Sequence, residues 1–152
     1  MDSIQQMLET HELWVRSHRT QGQKAEIRDA VIENLTLNGN ALPDLVMPGC
    51  TFINCHFTDV DLFAGFFGGC QFRGCSFTNC ILGKSVMDGV FIRETEFLNC
   101  TLIKTDMYDA VLENVTFSGC DLTRLWFAGD EARAERVTVT DCDRTDGPLP
   151  PF

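Results

Sequence analysis

The sequence predicts an all-β chain wound into a four-sided solenoid, closed at its N-terminal end by a helix. Three features carry this: an unbroken five-residue period of large apolar residues, a slower repeat of twenty, and one helical stripe ahead of both.

The five-residue period begins at Ile27 and runs through Ile32, Leu37, Leu42, Met47, Phe52 and onward to Phe127, with a large apolar residue at every step. Two places before each of these centres the residue is mostly small, as in Ala25, Cys50, Cys55, Gly65, Cys70, Cys75, Ser85 and Cys100. Two places after it, Asn, Asp or Gly predominates, as in Asp29, Asn34, Asn54, Asp59, Gly69, Asn79 and Asn99. A period of five matches neither a helix nor an isolated strand. It fits a short extended side followed by a corner, with centre and small residue pointing inward and the corner residue tolerating positive φ.

Sorting the centres by twenty gives a pure leucine column, Leu42, Leu62, Leu82, Leu102 and Leu122, and a second column of Leu37, Phe57, Phe77, Phe97 and Phe117. Like residues recurring at twenty mean that four sides make one turn and that turns stack at about 4.8 Å. The twenty-one units thus predict about five turns and a rod about 25 Å long.

Ahead of the coil, residues 1–24 form a cap and linker: Ile4, Met7, Leu8, Trp14 and Val15 make a helical stripe, and Ser3 with Gln6 fits a capping box. His11 and His18 lie near that stripe in packing or surface roles. The repeat proper spans residues 25–129. In residues 130–152 the register fails and returns two places out of phase at Val137, Val139 and Cys142, predicting a loop or short helical turn over 130–135, an irregular last coil, and a disordered tail.

Spans such as "CTFINCHFTDVDL" and "CSFTNCILGKS" resemble the pentapeptide-repeat family over residues 25–129. The resemblance implies a right-handed quadrilateral parallel β-helix. It also implies a protein-binding role: some members protect DNA gyrase by imitating DNA, and others resemble immunity proteins that neutralise toxins, nucleases included. The gyrase protectors are typically longer and dimerise through a C-terminal helix that this sequence lacks.

Composition narrows the chemistry. The formal charge of −10 argues against direct nucleic-acid binding. The repeat carries 13 acidic against 6 basic side chains, and Lys84, Lys104 and Arg124 share one corner column, which a phosphate mimic would not keep. No apolar run is long enough to span a membrane, and the first residues lack the features of an export signal, so a cytoplasmic protein with reduced cysteines is expected. Seven of the eight cysteines take the small inward position and run in parallel rather than converging, so no metal is assigned. The glycines of "AGFFGGC" are read as corner residues rather than a phosphate loop, which would need a lysine. The histidines have no catalytic spacing, a solenoid offers no cleft, and the chain is read as a non-enzyme without cofactor.

What remains is the outer surface. The side centred on Met47, Phe67, Met87 and Met107 points Val46, Phe66, Val86 and Trp126 outward, with Tyr108 beside them, Phe63 at a neighbouring edge, and Asp61, Asp88, Asp106 and Asp109 alongside. An apolar row stacked on a rigid rod is the mark of a protein interface, and its acidic margin suits a basic partner. The reading is a binding module, monomeric or homodimeric, of the immunity type that inhibits a toxin or nucleic-acid-acting enzyme. Gyrase protection by DNA mimicry and a self-associating scaffold are the alternatives.

Overall fold

The structure, a computed structural model, describes residues 3–147. Helix α1 (Ile4–Arg16) precedes nine parallel strands: β1 (Val31–Glu33), β2 (Thr36–Asn38), β3 (Thr51–Ile53), β4 (His56–Thr58), β5 (Gln71–Arg73), β6 (Ser76–Thr78), β7 (Phe91–Leu98), β8 (Val111–Ser118) and β9 (Arg133–Thr140). They form a β-solenoid with four walls. The first wall is a stack of single parallel bridges through Glu26, Val46, Phe66, Val86, Asp106 and Trp126. The second stacks β1, β3, β5 and the first halves of β7, β8 and β9. The third stacks β2, β4, β6 and the second halves of the same long strands. The fourth again consists of bridges, through Ala41, Asp61, Ile81, Thr101, Asp121 and Asp143.

Each partner lies twenty residues on, as in Ile32↔Phe52, Phe52↔Phe72 and Phe72↔Ile92. The corners explain the period. In all four walls the residue two places after the centre has positive φ: Asp29, Asn34, Gly39 and Asp44 on the first turn, and Asp109, Asn114, Gly119 and Arg124 four turns later. The corner N–H then donates to the turn above, as Asn54 N does to Arg73 O (2.9 Å) and Asn79 N to Leu98 O (2.9 Å).

The last turn differs from expectation. The five repeat turns and the expected final coil make about six turns in all, but the final one is regular rather than irregular. Strand β9 pairs with β8 throughout, with the register lengthened to twenty-two: Leu112↔Ala134, Val115↔Val137, Phe117↔Val139. Residues Arg133–Glu135 therefore belong to a strand, and the two extra residues are absorbed in a turn closed by Ala132 N donating to Gly129 O (3.2 Å). An insertion at a corner sits outside the core, so the walls keep their alignment. The same shift brings Cys142 above Cys120, whose N–H lies 3.3 Å from its Sγ, so the eighth cysteine joins the inward column as well. The tail expected to be disordered is described as far as Gly147; residues 148–152 lie outside the described residues.

The core is a set of columns rather than a globule. Phe57, Phe77, Phe97 and Phe117 stack ring on ring with centroids 4.8, 4.8 and 4.9 Å apart. The inward cysteines are free and donate to backbone carbonyls of the turn below, for example Cys70 Sγ to Met47 O at 2.9 Å. Burial pushes the Cys70 thiol up to about 12, well out of the reactive range.

The two ends are treated differently. At the first turn there is no lower turn to complete the backbone bonds, and α1 supplies the missing partners. Its capping box forms as expected, with Gln6 N donating to Ser3 Oγ (3.1 Å) and Ser3 N to Gln6 Oε1 (2.8 Å). Leu8 is buried over the core end. His11, fully buried, accepts from Ala25 N at Nδ1 (2.9 Å), and its Nε2 lies 2.7 Å from Pro43 O, a donor's position. The Glu12 carboxylate accepts from Ala41 N, whose equivalents Asp61 and Ile81 donate instead to Asn40 O and Val60 O of the turn below. The helix is thus a polar substitute for a missing turn. At the far end Phe127, Val137, Val139 and Cys142 are only half-buried.

Candidate functional site

The expected site residues fall on two walls and one corner. Val46, Phe66, Val86, Asp106 and Trp126 stack on the first wall, each before an inward centre, with Asp88 and Tyr108 just after theirs. Asp61 and Phe63 lie on the fourth wall, and Asp109 occupies the far corner of the first. Between Phe63 and Phe66 runs the corner of Ala64, Lys84, Lys104 and Arg124. The structure therefore unites seven of the ten residues on one wall and separates Asp61 and Phe63 from them by a cationic seam.

The apolar groups are outward as expected. Trp126 is 59% exposed, Tyr108 46%, Phe66 41% and Phe63 39%, while Val46 and Val86 are half-buried. The glycine-rich stretch contributes in a way the repeat alone does not reveal. Only Gly69 is a positive-φ corner; Gly65 takes the small inward position and Gly68 lies on the outer wall. A Cβ at Gly68 would come within 3.0 Å of the Phe66 ring, so Gly68 makes room for that ring to lie along the wall.

The carboxylates have backbone duties that composition could not assign. Asp61 Oδ1 accepts from Phe63 N (3.0 Å), Asp121 Oδ1 from Thr123 N (3.0 Å), and Asp106 Oδ1 from Tyr108 N (3.1 Å). An Asp just before the inward centre thus satisfies the N–H just after it, a local Asx arrangement. The spacing that marks it, Asp one place before the repeat centre, stands in the sequence at Asp61, Asp106 and Asp121. Asp109 Oδ1 accepts from Glu131 N (3.1 Å), holding the inserted turn. Asp88 Oδ1 also approaches Tyr108 N (3.3 Å), and burial, followed by the Asp106 carboxylate beside it, pushes the Asp88 carboxyl up to about 6. The Asp88–Asp106 pair is relieved by any cation placed against it.

Among the described residues no group of three or more His, Cys, Asp or Glu is placed to hold a metal ion, and no helix is long and apolar enough to cross a membrane. Two shallow cavities lie at the junction of α1 with the coil, one against Gln23–Glu26 and one against Trp14, His18 and Asp44, and an apolar one lies inside the coil among Leu42, Phe57, Leu62 and Phe77. His56 Nδ1 lies 2.7 Å from Ser76 Oγ on the third wall, far from any cleft.

Corners stacked turn on turn into four walls define a repeat scaffold. A family model of the pentapeptide repeat region matches residues 49–127, and the chain belongs to that family. Two solved structures are similar in fold. One is a trypsin-treated variant of QnrB1, a plasmid-mediated fluoroquinolone resistance protein, at 15% identity and TM-score 0.59, covering 63% of this chain and 49% of that one. The other is Rfr23, a pentapeptide repeat protein from the cyanobacterium Cyanothece 51142, at 10% identity and TM-score 0.56, covering 76% and 88%. This chain spans about half of the QnrB1 chain. No curated protein sequence matches.

Proposed function

We propose that this protein is a non-catalytic binding module of the immunity type, which neutralises a toxin or a nucleic-acid-acting enzyme by docking it on the first wall. One observation carries the reading: Phe66, Tyr108 and Trp126 stand exposed on rigidly stacked turns, with no described element covering them. Aromatic side chains lose little entropy on docking and are the usual anchors of protein interfaces. The acidic margin of Asp88, Asp106 and Asp109 favours a partner that brings cations to that edge. The cationic seam weighs against whole-surface DNA mimicry, because a phosphate-like surface would be of one sign.

The test is direct binding to the product of the gene encoded beside this one, measured by calorimetry, together with inhibition of that product's activity. The expected result is tight binding that Phe66→Asp and Trp126→Asp each weaken by about a hundredfold, equivalent to about 2.7 kcal/mol. Undiminished binding by both variants rejects this wall. An oligomer in light scattering that buries Phe66 and Trp126 between copies rejects the inhibitor reading in favour of a self-associating scaffold.

A further inference from the structure

We propose that the corner ridge of Lys84, Lys104 and Arg124 is a second recognition element, which binds the acidic face of a helical segment on a partner protein. The ridge goes beyond the first-wall reading, although Phe66 and Trp126 border both surfaces.

The three residues occupy the same corner on successive turns, as the bridges Ile81↔Thr101↔Asp121 and Val86↔Asp106↔Trp126 on either side of it fix. All three are exposed and all three hold positive φ, at 55, 59 and 56°. That conformation disfavours any residue with an ordinary side chain and favours Gly, Asn and Asp. The other three corner columns follow the rule on the same turns, with Gly89, Asn99, Asp109, Asn114 and Gly119; Glu94 is the exception. Among the described residues only this column departs from it on consecutive turns, four in all beginning with Ala64, and three of them carry like charges on turns about 4.8 Å apart. Conformational strain and mutual repulsion both act against this arrangement in the isolated chain.

Local partners offset it only in part. Among the described residues Lys84 and Lys104 form no ion pair; Lys84 Nζ lies 5.9 Å from the Phe63 ring, and Arg124 reaches Asp146 at 4.0 Å at the end of the column. Carboxylates are abundant nearby, yet Asp61 and Asp121 turn theirs to the backbone N–H groups of Phe63 and Thr123. Among the described residues the counter-charges of Lys84 and Lys104 are left for a partner to supply.

Spacing and flanks define their source. A helix presents carboxylates at i, i+4 and i+7 about 5 to 6 Å apart along its face, close to the turn spacing of about 4.8 Å. An extended strand presents same-face side chains about 6.7 Å apart and falls out of step by the third cation. Phe63 and Ile81 on one side of the ridge and Phe66 and Trp126 on the other, all at least 39% exposed, give apolar strips for the flanks of an amphipathic helix. Asp88 and Asp109 lie across the first wall from the ridge, whereas Asp106 stacks with Phe66 and Trp126 beside it, so the two margins of the wall carry different charge patterns.

The experiment uses the full chain and a helical peptide carrying Glu at i, i+4 and i+7 between Leu residues, with the same peptide bearing Gln as control, followed by Trp126 fluorescence and NMR shifts. The Glu peptide should bind at least tenfold more tightly than the Gln peptide, and its affinity should fall with added salt. Lys104→Glu should lose that preference entirely. Lys104→Asn should lose most of it while leaving the thermal midpoint unchanged or higher, since Asn suits the corner. Equal binding of the Glu and Gln peptides overturns the proposal, as does tighter binding of a single-stranded oligonucleotide of matched charge. Loss of the gene-neighbour interaction in Tyr108→Asp, with the peptide preference intact, separates failure of one reading from failure of the other.

Discussion

Replacing Phe97 with Ala tests whether stability comes from ring columns. Phe97 is fully buried, and its ring is sandwiched between Phe77 at 4.8 Å and Phe117 at 4.9 Å, with interplanar angles of 4 and 8°. Truncation removes the ring's transfer free energy, leaves a cavity between two turns that backbone bonds hold at fixed spacing, and abolishes two stacked contacts. Large-to-small changes of this kind cost about 3 to 5 kcal/mol, and the rigidity of the stack puts this one near about 4. With a urea slope of about 2 kcal/mol per molar, the unfolding midpoint should fall by about 2 M. The control lies on the same column: Val139 pairs with Phe117 on the last turn and is half-buried, so Val139→Ala should cost about 1 kcal/mol or less. Urea titration followed by circular dichroism reads both. A Phe97→Ala loss no larger than that of Val139→Ala would refute the claim that the column carries the fold.

The remaining predictions concern the cap and the corners. Glu12→Ala should cost about 1 to 3 kcal/mol, because Ala41 N–H loses the acceptor that replaces a missing turn; heat denaturation checks it. Burial holds the His11 pKa below the ordinary 6.5, so below that pH the unfolded chain takes up the proton first and stability conferred by neutral His11 is lost as pH falls. Trp14 fluorescence should accordingly report release of the cap on acidification, and a pH-independent signal in wild type would contradict this. Gly69→Ala, at φ 69° with open space around the added carbon, should cost about 1 kcal/mol from conformation alone. Gly119→Ala should cost more, since its Cβ would fall 2.3 Å from Asn99 Oδ1.

Much of the site was legible because a solenoid converts spacing into position. Phe66, Val86 and Trp126 share a wall for the same reason that Leu62 and Leu82 share a column: each step of twenty returns the chain to one place. What spacing could not convey is the second use of a residue. Asp61 and Asp106 read as surface charge but also close backbone N–H groups, and Gly68 reads as a turn residue but clears a path for the Phe66 ring. These depend on distances between atoms one or two residues apart, which a pattern of residue types does not encode.

The sequence by itself determined the walls, the corners and the capping box, since these follow from local conformational preference and from an apolar period that only one winding can bury. The tertiary structure decided the regularity of the sixth turn, the entry of Cys142 into the core column, and the exchange of missing backbone bonds for His11 and Glu12. Each of those depends on how one turn meets the next, or its absence, and an insertion at a corner breaks the period in the sequence while leaving the stacking of the walls intact.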